Sequence, residues 1–243
     1  MVLLPLKGNL VRDKFFGKRS GPKGGGRIVV VGNSAMARDR SDFVDSANCV
    51  MRFSRCIHYD SGMTGTKTDI LALRACRAFT RDRTTPDDVH VYHSEMMKGW
   101  IEREVKSMQP WYDCEEMWVA GAFLHYEMDI KPYADYFPEM LKKEVRIVHI
   151  SPLYQYVFGL PKHGFPEKRP GGSKLIPLTN GVAMVLHLLS IRYLRAWKIQ
   201  LVGFNDFKQQ PGDPSHISIA HEVEFDKRVL RSLDEAGYIE LCD

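Results

Sequence analysis

The stretch Arg27-Ile28-Val29-Val30-Val31, followed at once by Gly32-Asn33-Ser34, decides how this chain folds. Four consecutive apolar residues, all β-branched, show no polar alternation. That pattern predicts a strand buried on both faces, as in a parallel sheet. Gly32-Asn33-Ser34 stops the strand with turn chemistry. Upstream, Gly21-Pro22-Lys23-Gly24-Gly25-Gly26 is linker sequence, because so many glycines leave the backbone too free to hold a regular element. The chain therefore divides into a flexible basic lead, residues 1–26, and one folded domain, residues 27–243.

Downstream the same strand pattern recurs at Cys49 to Phe53, Asp69 to Leu73, Val89 to His93, Trp118 to Ala120, Arg146 to Ile150 and Lys198 to Val202. Helical patterns lie between several of them. The clearest runs from Gly181 to Trp197, where Val182, Val185, Leu186, Leu189, Tyr193 and Leu194 recur at three- and four-residue spacing, and Thr179-Asn180 supplies its start. A second helix follows His221, with Val223, Leu230 and Leu233 inward. Strand, helix, strand repetition predicts an α/β fold: a single doubly wound, mostly parallel, Rossmann-like sheet. Such sheets bind ligands at the carboxyl ends of their strands. The loops of interest are those after Val31, Phe53, Leu73 and Val202, and the turn before Gly181. Residues 158–177, with four prolines and four glycines, read as a loop beside the site.

Charge adds a constraint. The net +4 is uneven: residues 1–27 hold seven basic side chains against Asp13, or +6, which leaves −2 for the remainder. The folded body lacks the basic surface that phosphate-dominated binding needs, so nucleic acid is not an expected partner. A composition 44% hydrophobic and 26% charged excludes wholesale disorder and disulfide miniproteins. No run approaches the ~18–20 apolar residues of a membrane span, and Met1 to Leu6 is too brief for a signal-peptide core. A cytoplasmic location is the expectation. Five scattered cysteines, with no Cys-x-x-Cys pair, read as reduced and mostly buried thiols.

Two features could carry chemistry. Gly32-Asn33-Ser34 after a buried strand could bring amides and two polar side chains to a nucleotide, or could be a structural turn. It is not Gly-x-Gly-x-x-Gly, since Ser34 and Ala37 occupy the second and third glycine positions. His221, followed five residues later by Asp226, could take a proton from an attacking hydroxyl; alone it could equally cap a helix. Trp100, Trp111, Trp118, Tyr112 and Tyr126 form an aromatic-rich middle, read as core packing ahead of sugar stacking.

Taken in order, the motifs resemble a known family. Val30 to Ser34, Asp45 with Val50-Met51-Arg52, and Gly65 to Asp69 resemble the large sialylmotif of the sialyltransferases, glycosyltransferase family 29. Pro177-Leu178-Thr179-Asn180-Gly181 with Ile199 to Phe204 resembles the small motif, and His221 with Asp226 the very small motif. The bacterial sialyltransferases of family 42 have a similar skeleton, and Gly203-Phe204-Asn205-Asp206-Phe207 looks like a relative of their Gly-x-Asp-Phe element. The resemblance covers residues 27–240. Departures are specific: Arg-x-Asn reads Arg52-Phe53-Ser54, Thr-Ser-Gly reads Thr179-Asn180-Gly181, the family 29 disulfide has no counterpart, and the phosphate-side tyrosines of family 42 find no match.

The resemblance implies inverting, metal-independent transfer of sialic acid or a related 3-deoxy-ulosonic sugar from a CMP-sugar donor to an oligosaccharide or glycolipid acceptor, with no cofactor. Absence of an Asp-x-Asp pair agrees with the metal-free expectation. It also implies roles. His221 is the general base. Gly32, Asn33, Ser34, Arg52, Ser54, Thr179, Asn180, Gly181, Gly203 and Asn205 surround the nucleotide and donor. Where the family 42 tyrosines find no match, His216 or Lys208 could stand near the leaving phosphate, His216 on proximity alone. Arg52 and Lys67 are alternatively read as surface pairs, and Asp226 as a capping or packing residue. The fold leaves two alternatives open: another nucleotide-dependent enzyme such as a dehydrogenase or methyltransferase, and a non-catalytic glycan-binding relative. For an enzyme acting on lipid-linked glycans, the basic lead 1–26 could hold an anionic membrane face; a disordered solubilising tail is the other reading.

Overall fold

The structure is a computed structural model that describes residues 25–34, 36–53, 56, 59, 62–74, 79–81, 90–92, 114–121, 144–149, 179–191, 197–204 and 223–242. Strand β1 is Arg27–Val31, β2 Cys49–Phe53, β3 Ile70–Arg74, β6 Glu116–Gly121, β7 Glu144–His149, β8 Lys198–Val202 and β9 Glu240–Leu241, while β4 (Phe79–Arg81) and β5 (His90–Tyr92) lie apart. Helices α1 (Ser41–Asp45), α2 (Asn180–Ser190) and α3 (Val223–Glu235) complete the described elements. The seven-stranded sheet has the order β7-β6-β3-β2-β1-β8-β9, and all of its pairs are parallel. This is the Rossmann-like, doubly wound sheet expected from the sequence.

The apolar run of β1 explains the layers. Ile28 and Val30 join one core with Met51 of β2, Trp118 of β6, Val182, Val185 and Leu186 of α2, and Phe225 and Leu230 of α3. Val29 and Val31 face the other way, onto Val44 of α1, Val50 and Val202. A strand covered on both sides has no solvent face to carry polar residues. Arg27 ties α1 down, donating from Nη2 to Phe43 O and Ser46 Oγ.

Two expectations need correction. The helix from Gly181 was expected to reach Trp197, but α2 stops at Ser190, where Ile191 is extended at φ −78°, ψ 110°. Geometry supplies the reason: eleven residues of helix rise about 17 Å, the length of a five-residue strand, so α2 has already crossed the sheet. Trp197 instead lies against Gly26, where an added Cβ would meet its ring at 2.7 Å. The strand expected at Val89 to His93 is not part of the main sheet. It is β5, paired antiparallel with β4.

Trp118 is fully buried, its ring edge-on to His187 of α2 at 5.2 Å, in keeping with the core reading. Trp100, Trp111, Tyr112 and Tyr126 lie outside the described residues, as do residues 1–24 of the lead and the loop 158–177. Among the described cysteines, Cys49, Cys56 and Cys114 are buried. No described helix is long and apolar enough to cross a membrane.

Candidate functional site

Strand β1 lies between β2 and β8, and the strand order runs outward from it in both directions, through β2 on one side and β8 on the other. A crevice forms at such a switch point. Here its floor is two glycines in contact. Gly32 N donates to Val202 O at 2.8 Å, and Ser34 N donates to Gly203 O at 3.3 Å. A Cβ on Gly32 would sit 2.3 Å from Gly203 O, and Gly203 itself has φ +74°. Only glycine fits the first position, and glycine is strongly preferred at the second. Asn33 and Ser34, both half-buried, therefore leave the strand with a fixed direction.

Phe204 follows Gly203 and joins three loops. Its ring packs edge-on against Phe53, at the carboxyl end of β2, with centroids 6.1 Å apart. It also lies over the first turn of α2, where a Cβ on Gly181 would meet Phe204 Cε1 at 2.9 Å. Sequence reasoning named its neighbours Gly203 and Asn205 but gave Phe204 no role. The available signal was an aromatic residue immediately past a strand end.

The amino end of α2 thus faces the same crevice. Thr179 is its N-cap, with extended backbone, and its hydroxyl accepts from Val182 N at 3.5 Å. The backbone amides of Asn180 and Gly181, orphaned by position, have no acceptor among the described residues. Both polar atoms of the Asn180 side chain are buried without a hydrogen-bond partner. Asp226, in the first turn of α3, accepts from Thr179 N at 2.9 Å through Oδ2. Its side chain is fully buried and Oδ1 has no partner. The tie to Thr179 agrees with the capping role expected of Asp226. Orphaned polar atoms are rare in protein interiors, and a cluster of them marks a place for water or a polar ligand.

Burial pushes Asp226 up to about 6, with hydrogen bonding from Thr179 working the other way. A carboxyl group whose folded value lies above its unfolded 3.8 favours the protonated folded state. Its contribution is most favourable below pH 4, declines as pH rises towards 6, and stays low above that. Asp226→Asn keeps an acceptor for Thr179 N and removes the buried charge. We expect it to raise stability by about 1–2 kcal/mol at pH 8 and by nothing at pH 4. Thermal melts of the two proteins at those pH values check this.

Arg52 does not lie on the surface. It is 2% exposed, and burial, the dominant cause, lowers its pKa. All three guanidinium nitrogens bind the loop before β3: Nε to Lys67 O and Thr68 Oγ1, Nη1 to Thr64 Oγ1, and Nη2 to Thr64 O and Gly65 O, at 2.6–3.1 Å. The expected surface pair fails because the loop offers a row of carbonyls that a planar fork can satisfy. Asp45 holds the same loop, accepting from Thr66 N at 3.0 Å and Lys67 N at 2.9 Å. Lys67 pairs with Asp69 at 3.9 Å and bonds Ala47 O. Just past β2, Cys56 donates to Phe53 O, and burial pushes its thiol up to about 12, so it is an inert packing group.

The structure therefore brings Gly32, Asn33, Ser34, Gly203, Thr179, Asn180 and Gly181 to one edge of the sheet and turns Arg52 into a loop brace. His221, His216, Ser54 and Asn205 lie outside the described residues. Val223, the first residue of α3, is two positions beyond His221. Among the described residues, no three His, Cys, Asp or Glu side chains gather as metal ligands.

No protein-family model matches the chain, and no curated protein matches it. Solved structures do. The monofunctional α-2,3-sialyltransferase Cst-I from Campylobacter jejuni matches with a TM-score of 0.52 at 15% identity, over 92% of this chain and 78% of that one. The chain has a sialyltransferase-type fold. A mammalian sialyltransferase matches at TM-score 0.47 and 16% identity, over 90% of this chain and 69% of the other. The Campylobacter jejuni sialyltransferase CstII, in complex with the substrate analogue CMP-3FNeuAc, matches at TM-score 0.46 and 16% identity, over 89% and 80%.

Proposed function

We propose that this chain is an inverting glycosyltransferase that moves sialic acid, or a related 3-deoxy-ulosonic sugar, from its CMP ester to a glycan hydroxyl without a metal ion. The observation that carries this reading is the cluster of unpartnered polar groups at the amino end of α2, beside Gly32-Asn33-Ser34 in the switch-point crevice. An amino helix end with open amides suits phosphate and carboxylate, contributing about 0.5–2 kcal/mol. A monophosphate leaving group needs less neutralising charge than a diphosphate, so neutral donors go far towards binding it.

In this reading Gly32, Asn33, Ser34 and Ser54 hold the nucleotide, with Gly203 and Asn205 closing its edge. Thr179, Asn180 and Gly181 take the donor's carboxylate and phosphate. His221 accepts the proton of the acceptor hydroxyl, whose oxygen attacks the anomeric carbon. The bond from that carbon to the phosphate oxygen breaks with inversion, and CMP leaves beside His216. Arg52 serves by fixing the loop before β3. The test is turnover of CMP-sialic acid with EDTA present, followed as CMP release with a panel of oligosaccharide and glycolipid acceptors. The expected result is metal-independent release. Tight CMP binding with no turnover of any donor would instead point to a non-catalytic glycan binder.

A further inference from the structure

Asp226 is an odd neighbour for an anion site. A fully buried carboxylate, bonded to the N-cap amide of α2, stands where an approaching phosphate would meet like charge. Among the described residues no cation pairs with it. The charged groups of its own helix near it in sequence are Glu224, Lys227 and Arg228, and Lys227 is engaged by Glu224 at 2.9 Å. On α2 the titratable side chain is His187, near the other end of the helix. His221 and Glu222 stand just before α3.

We propose that an anion at the amino end of α2 and a proton on Asp226 bind together. This rests on the reading of that helix end as the phosphate and carboxylate site. Two like charges sharing a buried pocket, where no described cation pairs with the carboxylate, repel strongly, so the cheaper state neutralises one of them. The protonated group then has a hydroxyl to offer. With Oδ2 held by Thr179 N, the unpartnered Oδ1 becomes a donor, and its partner is an anion oxygen. Proton and ligand thus complete a hydrogen-bond set in which Asp226 Oδ1 otherwise has no partner. Burial already pushes Asp226 up to about 6, which places its proton within physiological reach. The consequence is a donor affinity that weakens as pH rises, set by a residue of the helix next to the one carrying the site.

Isothermal titration of CMP at pH 7, in two buffers of different ionisation enthalpy, reads the proton count directly. Wild-type protein is expected to take up about 0.5–1 proton more per CMP than Asp226→Asn, since the difference cancels the contributions of CMP and of the histidines. Asp226→Asn is also expected to bind CMP with an affinity that changes little between pH 7 and 8.5, while the wild type weakens towards tenfold per unit. Equal proton uptake in the two proteins overturns the coupling and leaves the proposed function standing. Absence of CMP binding in both overturns the site assignment and the coupling with it. Should the variant fail to fold, the wild-type affinity over that pH range decides alone: a constant value overturns the proposal.

Discussion

Gly32→Ala is expected to destabilise the protein by about 3 kcal/mol and to abolish nucleotide binding. The new Cβ would stand 2.3 Å from Gly203 O and 3.1 Å from Phe204 Cδ2. The first of these is backbone, at the end of a strand paired along its whole length with β1. No flexible side chain is there to yield, so the ends of β1 and β8 must part. That movement breaks the bond from Gly32 N to Val202 O and shifts Phe204 off Phe53 and Gly181. For a domain of this size the expected fall in Tm is about 6–12 °C. Gly62→Ala is the control: Gly62 has positive φ, at +71°, but open space around it, and the substitution is expected to cost about 1 kcal/mol. A Tm for Gly32→Ala equal to that of the control would show that the two strand ends are not in the contact described.

His221→Ala is expected to lower kcat/KM for transfer by at least about 10²-fold, the usual scale for loss of a general base. CMP affinity should change by no more than a few fold, because a base for the acceptor hydroxyl makes its main contribution in the transition state. Steady-state kinetics and CMP titration on one preparation separate these effects. Full activity in the variant removes His221 from the mechanism. Loss of CMP binding with loss of activity would move it to the nucleotide.

The residues themselves show what a sequence can reveal here. Strands β1, β2 and β8 lie where their apolar runs predict, to the residue, because strands covered on both faces are mostly apolar. Thr179 was legible as a helix start for a local reason: its own hydroxyl meets Val182 N three residues on. The end of α2 was not, since the periodicity of Tyr193 and Leu194 continues although the sheet beneath has ended. Partnership was also hidden. β5 reads as a strand from Val91 and its neighbours, but nothing local says that it pairs with β4 rather than entering the sheet. Arg52 binds carbonyls 12–15 positions away, and Asp226 meets Thr179 across 47. Contacts of that separation are decided by topology. The motif order pointed to the carboxyl edge of the sheet, which is where every parallel strand hands its chain to a loop. Phe204, which joins three of those loops, stood between two named positions.

The most direct test of a CMP-sugar site is a thermal-shift comparison of CMP, CDP, NAD and S-adenosylmethionine with the whole 243-residue chain, in buffer containing EDTA. A ligand at about 100 times its Kd stabilises the folded state by about 2.7 kcal/mol. CMP is expected to raise Tm by several degrees, and NAD and S-adenosylmethionine to leave it unchanged. Stabilisation by NAD or S-adenosylmethionine, with none from CMP, would contradict a CMP-sugar site.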